Sequence, residues 1–403
     1  MRKPVTRLLL LAGLGLTVAC SERAGVRGRE DTGASSSDAT PERVEEVRID
    51  GVLEDLVPIR SLAVAPDGTI AVTQDQDGAV RFFTSSGEAL GSFGRNGEGP
   101  GEFRGLNRLG WLADTLWVLD AMQARITLIS PERELVRTIR TPTRAGPAPA
   151  DSGRIPEFPI AIPIGIRGDG ALHVMLMPGV GQPVPEPYRD ATAWGIVSLS
   201  GIIGRIVSVR RPPSDAAVRL SSARGVSVAS VPFTSRTHYG VSADGSRSVL
   251  AESPVEGPAA GSIDVSVFGP AGDTLLFRRY PFEGVPIPAA VADSVMSARE
   301  RQLGANSPEL AAAFRKGARL PRIHPPVASL IVGRDGTVWM ERPGDAGRRV
   351  YFVVDSLGEP VGTIDLPRNA TVSAAERGRI WVLERDENDV QSIVRYGIRW
   401  RAG

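Results

Sequence analysis

Six polar residues of this 403-residue chain are candidates for binding chemistry: Arg60, Arg108, Asp120, His238, Arg342 and Glu384. When the sequence is aligned on its recurring turns, Arg60, Arg108 and His238 fall near the starts of equivalent segments. Asp120, Arg342 and Glu384 align with Gln74 at the ends of the segments that follow. A mixed-sign ring could hold a ligand by charge-assisted hydrogen bonds, roughly twice as strong as neutral ones. The same residues could instead pair with each other or with loop backbone. Cys20 is a seventh candidate and the only cysteine, which excludes a disulfide framework or a thiolate zinc cluster within one chain. No GxSxG, HExxH or CxxC motif occurs. The glycine-rich stretch 97–101 lacks the GxGxxG spacing, and neither Lys3 nor Lys316 completes a phosphate-binding loop. That stretch reads as a connection whose glycines and proline set a turn. His173, in ALHVM, occupies the position of Trp117, Trp339 and Trp381 in the alignment and reads as a core residue.

The surroundings of Cys20 give it a role. Arg2, Lys3 and Arg7 precede an apolar run over residues 8–19, too short to span a bilayer and consistent with an export signal. The run ends Thr17-Val18-Ala19-Cys20, which resembles the lipobox of bacterial lipoproteins, with Thr17 where that family prefers Leu. The resemblance implies that Cys20 is alkylated by diacylglycerol and becomes the mature N-terminus. Ser21 in place of Asp implies the outer membrane, facing the periplasm. Residues 20–43 are small and polar and read as a disordered tether. Losing residues 1–19 removes three of the 47 basic residues against 46 acidic ones and turns a net +1 into −2. Neither value provides the basic stripe that nucleic acid requires.

The elements that position the six candidates form a repeat. Turns at Asp67-Gly68, Asp114-Thr115, Asp169-Gly170, Asp244-Gly245, Asp335-Gly336 and Arg377-Gly378 are each followed by a β-rich segment, from TIAVT to RIWVLER. Each is followed by a strand–turn–strand pair, such as RVYFVVDSLGEPVGTIDL. Units recurring about every 40 to 50 residues predict an all-β, six-bladed β-propeller over residues 44–403. The sixth unit runs out of sequence after three strands, and VEEVRID at 44–50 has no partner of its own. This N-terminal strand is expected to close the last blade, because an open blade would leave an unpaired edge.

Residues 91–129 look like an NHL-type repeat in Phe93-Gly94, Gly97 through Phe103, Leu116 through Asp120, and Arg125. More widely, the chain resembles bacterial six-bladed β-propeller lipoproteins, although only the first two blades match the motif well. The resemblance implies that Asp120 and Arg125 form a structural pair. It implies little about function, since propellers host unrelated activities. Some are metal-dependent hydrolases, lactonases or lyases with carboxylates in the central channel. Asp120 and Glu384 could contribute to such a site here, without evident further ligands.

In a propeller, turns between first and second strands and between third and fourth strands share one face. In this sequence all of those are tight. The other face receives every long segment: 143–161, 179–191, 211–236, 252–262 and 284–326. Segments of that length are uncommon unless functional or disordered. Within the last, residues 289–303 and 308–316 predict a helical insertion of about 287–318 between blades 4 and 5, with Ser307 as N-cap before Pro308. It would act as a mobile lid or as a plug fixed on those blades. The reading is of a monomeric, lipid-anchored envelope protein that binds a ligand or partner protein through this face. It has no expected catalytic residue, metal or cofactor. An exported metal-dependent enzyme is the alternative.

Overall fold

The computed structural model describes residues 41–400 apart from 152, 180–183, 223–224, 254–260, 306 and 345–346. The export signal, Cys20 and nearly all of the tether lie outside the described residues, as do parts of the 179–191 and 252–262 segments.

Strand β1 (Glu42–Ile49) precedes the first blade, formed by β2 (Leu62–Val64), β3 (Ile70–Gln74), β4 (Ala79–Phe83) and β5 (Ala89–Phe93). The second blade is β6 (Leu106–Leu112), β7 (Thr115–Asp120), β8 (Arg125–Ile129) and β9 (Leu135–Arg140). A short β10 (Gly146–Pro147) leads into the third, β11 (Ile160–Ile166), β12 (Leu172–Met177), β13 (Thr192–Val197) and β14 (Ile202–Arg210). The hairpin β15 (Ala217–Ser222) and β16 (Gly225–Ser230) stands before the fourth, β17 (His238–Val241), β18 (Ser248–Glu252), β19 (Ser262–Phe268) and β20 (Thr274–Pro281). Helices α1 (Ala289–Gly304) and α2 (Pro308–Gly317) separate it from the fifth, β21 (Ser329–Val332), β22 (Val338–Arg342), β23 (Arg348–Val354) and β24 (Pro360–Pro367). The sixth has β25 (Ala370–Glu376), β26 (Arg379–Arg385) and β27 (Gln391–Arg399).

The sixth sheet is completed by β1, in the order β1-β27-β26-β25. The two chain ends pair antiparallel from Glu42↔Arg399 to Ile49↔Ile393, so the expected closure is present. Blade 3 gains a fifth strand, because β10 pairs parallel with β14 through Gly146↔Ile202.

Burial peaks in the middle strands of the blades and is lowest on the outermost, and the residue types follow it. Second strands such as β3 (IAVTQ) are buried throughout, while outermost strands such as β9 (LVRTIR) are almost fully exposed. A strand packed on both faces by neighbouring blades must be apolar at consecutive positions rather than alternate ones. The resulting cores lie at the six seams between adjacent blades. Trp117 and Ile126 meet Leu172 and Val174 between blades 2 and 3. Trp339 and Tyr351 meet Val372 and Val382 between blades 5 and 6. The seam between blades 3 and 4 is the smallest, formed around Ile164, Trp194, Leu250 and Phe268.

Local turn chemistry shapes one face. In the first blade Gly68 takes φ +92° and the Asp67 carboxylate accepts a 2.8 Å hydrogen bond from the Thr69 N–H. Asp169, Asp244 and Asp335 receive the equivalent bond in their blades. Each third-to-fourth hairpin of the first five blades carries a register shift at the same place. Its cause is a left-handed residue that ends the turn and forms a bulge, Gly87 at φ +94° in the first blade.

On the other face, β15–β16 and α1–α2 pack together. Leu220, Ala229 and Val231 from the hairpin side bury Phe314 and Ala318 from the helical side. Phe314 is 0% exposed. The apolar side of the helices therefore rests on a hairpin that patterning did not predict, rather than on blades 4 and 5. Ser307 caps α2 by accepting from the Leu310 N–H at 3.4 Å, as its sequence indicates.

Candidate functional site

The innermost strands of all six blades surround a central channel of about 420 Å³. Each first strand is hydrogen-bonded on one edge only, so its other edge presents backbone N–H and C=O groups to the channel. The charged and titratable lining residues are Arg108, Arg334, His238 and Tyr239, and among the described residues no Asp or Glu lines the wall.

Arg108 and His238 are thus brought together on the channel wall as the alignment suggested. Arg108 sits in β6 opposite Leu119, one position from the loop-bearing end of the blade. Its guanidinium has no hydrogen-bond or ion-pair partner among the described residues, and enclosure by protein pulls its pKa below the ordinary arginine value. The His238 Nε2 lies 3.0 Å from the Val327 carbonyl oxygen. Burial lowers its pKa, assisted by Arg236 and opposed by that backbone contact and by Glu341.

The other four candidates stand off the channel and hold blade connections. Arg60 donates to Asp75 at 3.1 Å and borders a smaller cavity between blades 1 and 6, of about 350 Å³. The fully buried Asp120 carboxylate accepts from the backbone N–H of Arg104 at 2.8 Å and of Gln123 at 3.0 Å. Arg342 lies over the rings of Phe282 and Phe352, at 5.0 and 5.4 Å, and burial lowers its pKa. Glu384 accepts from Arg48 of the closing strand at 2.9 Å and from the Tyr396 hydroxyl at 2.6 Å. Burial and that carboxylate push the Tyr396 hydroxyl up to about 12. Gln74, aligned with these residues, clamps both the N–H and the carbonyl of Val57. The equivalent positions thus form a ring whose members secure incoming chain.

The resemblance implied that Asp120 pairs with Arg125. They face each other across β7 and β8, but no ion pair joins them. The Arg125 guanidinium instead donates to the carbonyl oxygens of Glu98, Gly99 and Glu102, holding the glycine-rich connection against the blade. His173 is a core residue, its ring nitrogens 3.1 Å from the Tyr239 hydroxyl and 2.9 Å from the Gly245 carbonyl oxygen.

Two features escaped the sequence. Arg334 reaches the channel from the tight-turn end and pairs with Glu376 at 3.3 Å. It lies two residues past the end of β21, and counting inward-facing first-strand residues past the strand end would have found it. The other is the hairpin, whose alternating AVRLSS and GVSVAS could have been read as two strands. A third cavity, of about 250 Å³, lies between the base of the inserted unit and blade 4, where the Phe233 ring packs edge-on against His324. Among the described residues, no three His, Cys, Asp or Glu side chains converge as a metal site. No helix among them is long and apolar enough to cross a membrane.

No family model matches the chain, and no curated protein sequence does. Solved structures of similar architecture exist at low identity. A DUF4221 family member from Bacteroides vulgatus is 11% identical, with a TM-score of 0.47 over 90% of this chain and 99% of its own. A Bacteroides fragilis protein predicted to be exported has the same identity and TM-score, over 93% and 99%. Virginiamycin B lyase from Staphylococcus aureus is 10% identical, with a TM-score of 0.39 over 88% and 99%.

Proposed function

We propose that this propeller is a lipid-anchored envelope protein, fixed to the membrane through Cys20, that captures a ligand or partner protein on its loop-bearing face without catalysis. One observation carries the reading. Two separate excursions, one before and one after blade 4, meet on that face and share a core around Phe314. Ring closure does not depend on them, because β1 and β27 seal it elsewhere. Ordering the 50 residues of 214–232 and 288–318 costs conformational entropy, and a folded recognition element accounts for that cost. Three of the four most exposed large apolar side chains among the described residues, Leu53, Met122 and Val52, also lie on this face; the fourth is Leu357. Asp120 and Glu384, the carboxylates that a channel metal would need, are committed to other bonds, which favours binding over metal-dependent hydrolysis.

The test replaces residues 214–232 and 288–318 by short Gly-Ser linkers. The ring should melt as before, while cross-linking to its envelope partner in cells should disappear. Retained cross-linking would contradict the proposal. The anchor is tested separately: Cys20→Ser should move the protein from the membrane fraction to the soluble periplasm. An unchanged membrane fraction would remove the lipid from the account.

A further inference from the structure

The charges around the channel do not balance. Arg334 is neutralised by Glu376, and its backbone N–H is bound to the Ala375 carbonyl. His238 is held toward its neutral form by burial. The Tyr239 hydroxyl engages His173. Glu341, whose charge acts on His238, is occupied by Ser329 at 2.7 Å and Arg349 at 2.6 Å. Arg108 remains, with five N–H donors, one full charge and no protein acceptor among the described residues. Arg108 is exposed on the channel wall, and a cleft lined by charge of one sign concentrates counter-ions, so the channel favours an anion.

The size of the charge and the nature of the wall narrow that anion. A single uncompensated cation matches a monoanion better than a phosphate group carrying about −1.5 to −2. A guanidinium fork fits a carboxylate through two parallel hydrogen bonds. Leu330, Ile331 and Val332 make part of the wall apolar, and about 420 Å³ is ample for a small organic body. We propose that the central channel is a binding site for a small, apolar-bodied carboxylate, with Arg108 gripping the carboxylate near the loop-bearing end. This site is distinct from the inserted unit, and either can fail without the other.

Calorimetric titration of the full chain with benzoate, benzamide, chloride and inorganic phosphate tests it. Benzoate should bind at least about tenfold more tightly than the isosteric neutral amide or either inorganic ion. Arg108→Gln should reduce benzoate to the level of benzamide without lowering the melting temperature, since Arg108 holds no other part of the protein. Arg108→Lys, which keeps the charge but loses the fork, should fall between the two. Equal binding of benzoate and benzamide would overturn the proposal, as would undiminished benzoate binding by Arg108→Gln. Chloride or phosphate binding as tightly as benzoate, or no benzoate binding at about 10 mM, would also overturn it.

Discussion

The two faces of the ring are built by different physics. On the tight-turn face the first turns of blades 1, 3, 4 and 5 share one local device: a glycine in the left-handed region, and an Asp carboxylate bonded two residues along, as at Asp67 and Thr69. On the loop-bearing face the chain is ordered by contacts between residues far apart in sequence. Leu220 and Phe314 are buried together, and Arg342 lies over Phe282 of the preceding blade. Local chemistry gives one face its uniformity. Tertiary packing lets the other differ between blades, and recognition requires such differences.

The strongest way to break this contrast is to open the ring. Deleting residues 42–49 removes the β1–β27 ladder and the buried Ile49, and should cost on the order of 5 kcal/mol or abolish folding. An unchanged melting temperature would show that the closure is dispensable. Next, Trp339→Ala and Phe314→Ala each empty a fully buried site and should cost about 3–5 kcal/mol, but in different places. The first should lower global unfolding. The second should accelerate hydrogen exchange only in β15–β16 and α1–α2, leaving the seams protected. Exchange spreading through blades 4 and 5 would mean that the unit is part of the ring.

A smaller effect is expected from acid. Burial holds the His173 pKa below its ordinary 6.5, against the pull of the Gly245 carbonyl, with Arg167 adding to the lowering and Asp169 opposing it. Below about 6.5 the unfolded chain takes up a proton that the folded chain refuses. Stability should therefore be full above that pH and decline as pH falls towards the depressed folded value. The decline should concentrate at the thin seam between blades 3 and 4. His173→Gln should flatten the dependence between about pH 7 and pH 5, and an unaltered slope would point to other groups. The smallest effect is that of Tyr280→Phe, which loses the 2.7 Å bond to the Gly358 carbonyl and should cost about 1 kcal/mol in chemical denaturation.

The same contrast explains what could be read in the sequence. The blade count, the closing strand, the helical pair and the core role of His173 were legible because turn residues, β-rich runs and caps act locally. The site was legible only in part. Arg108 and His238 reach the channel because first strands line it, which repeat alignment captures. Asp120, Arg342 and Glu384 occupy equivalent positions, but their partners are Arg104, Phe282 and Arg48, and neither spacing nor composition encodes those approaches. The docking of β15–β16 against α2 joins residues nearly 100 positions apart, beyond the reach of periodicity.

Site-specific photo-cross-linking in intact envelopes tests recognition by one face most directly. Probes would replace Val291 of α1 and Leu357 of a blade 5 turn, which are exposed on opposite faces at 41% and 68%. The account predicts a discrete cross-linked species from position 291 and none from position 357. Cross-linking from 357 alone, or equally from both, would contradict it.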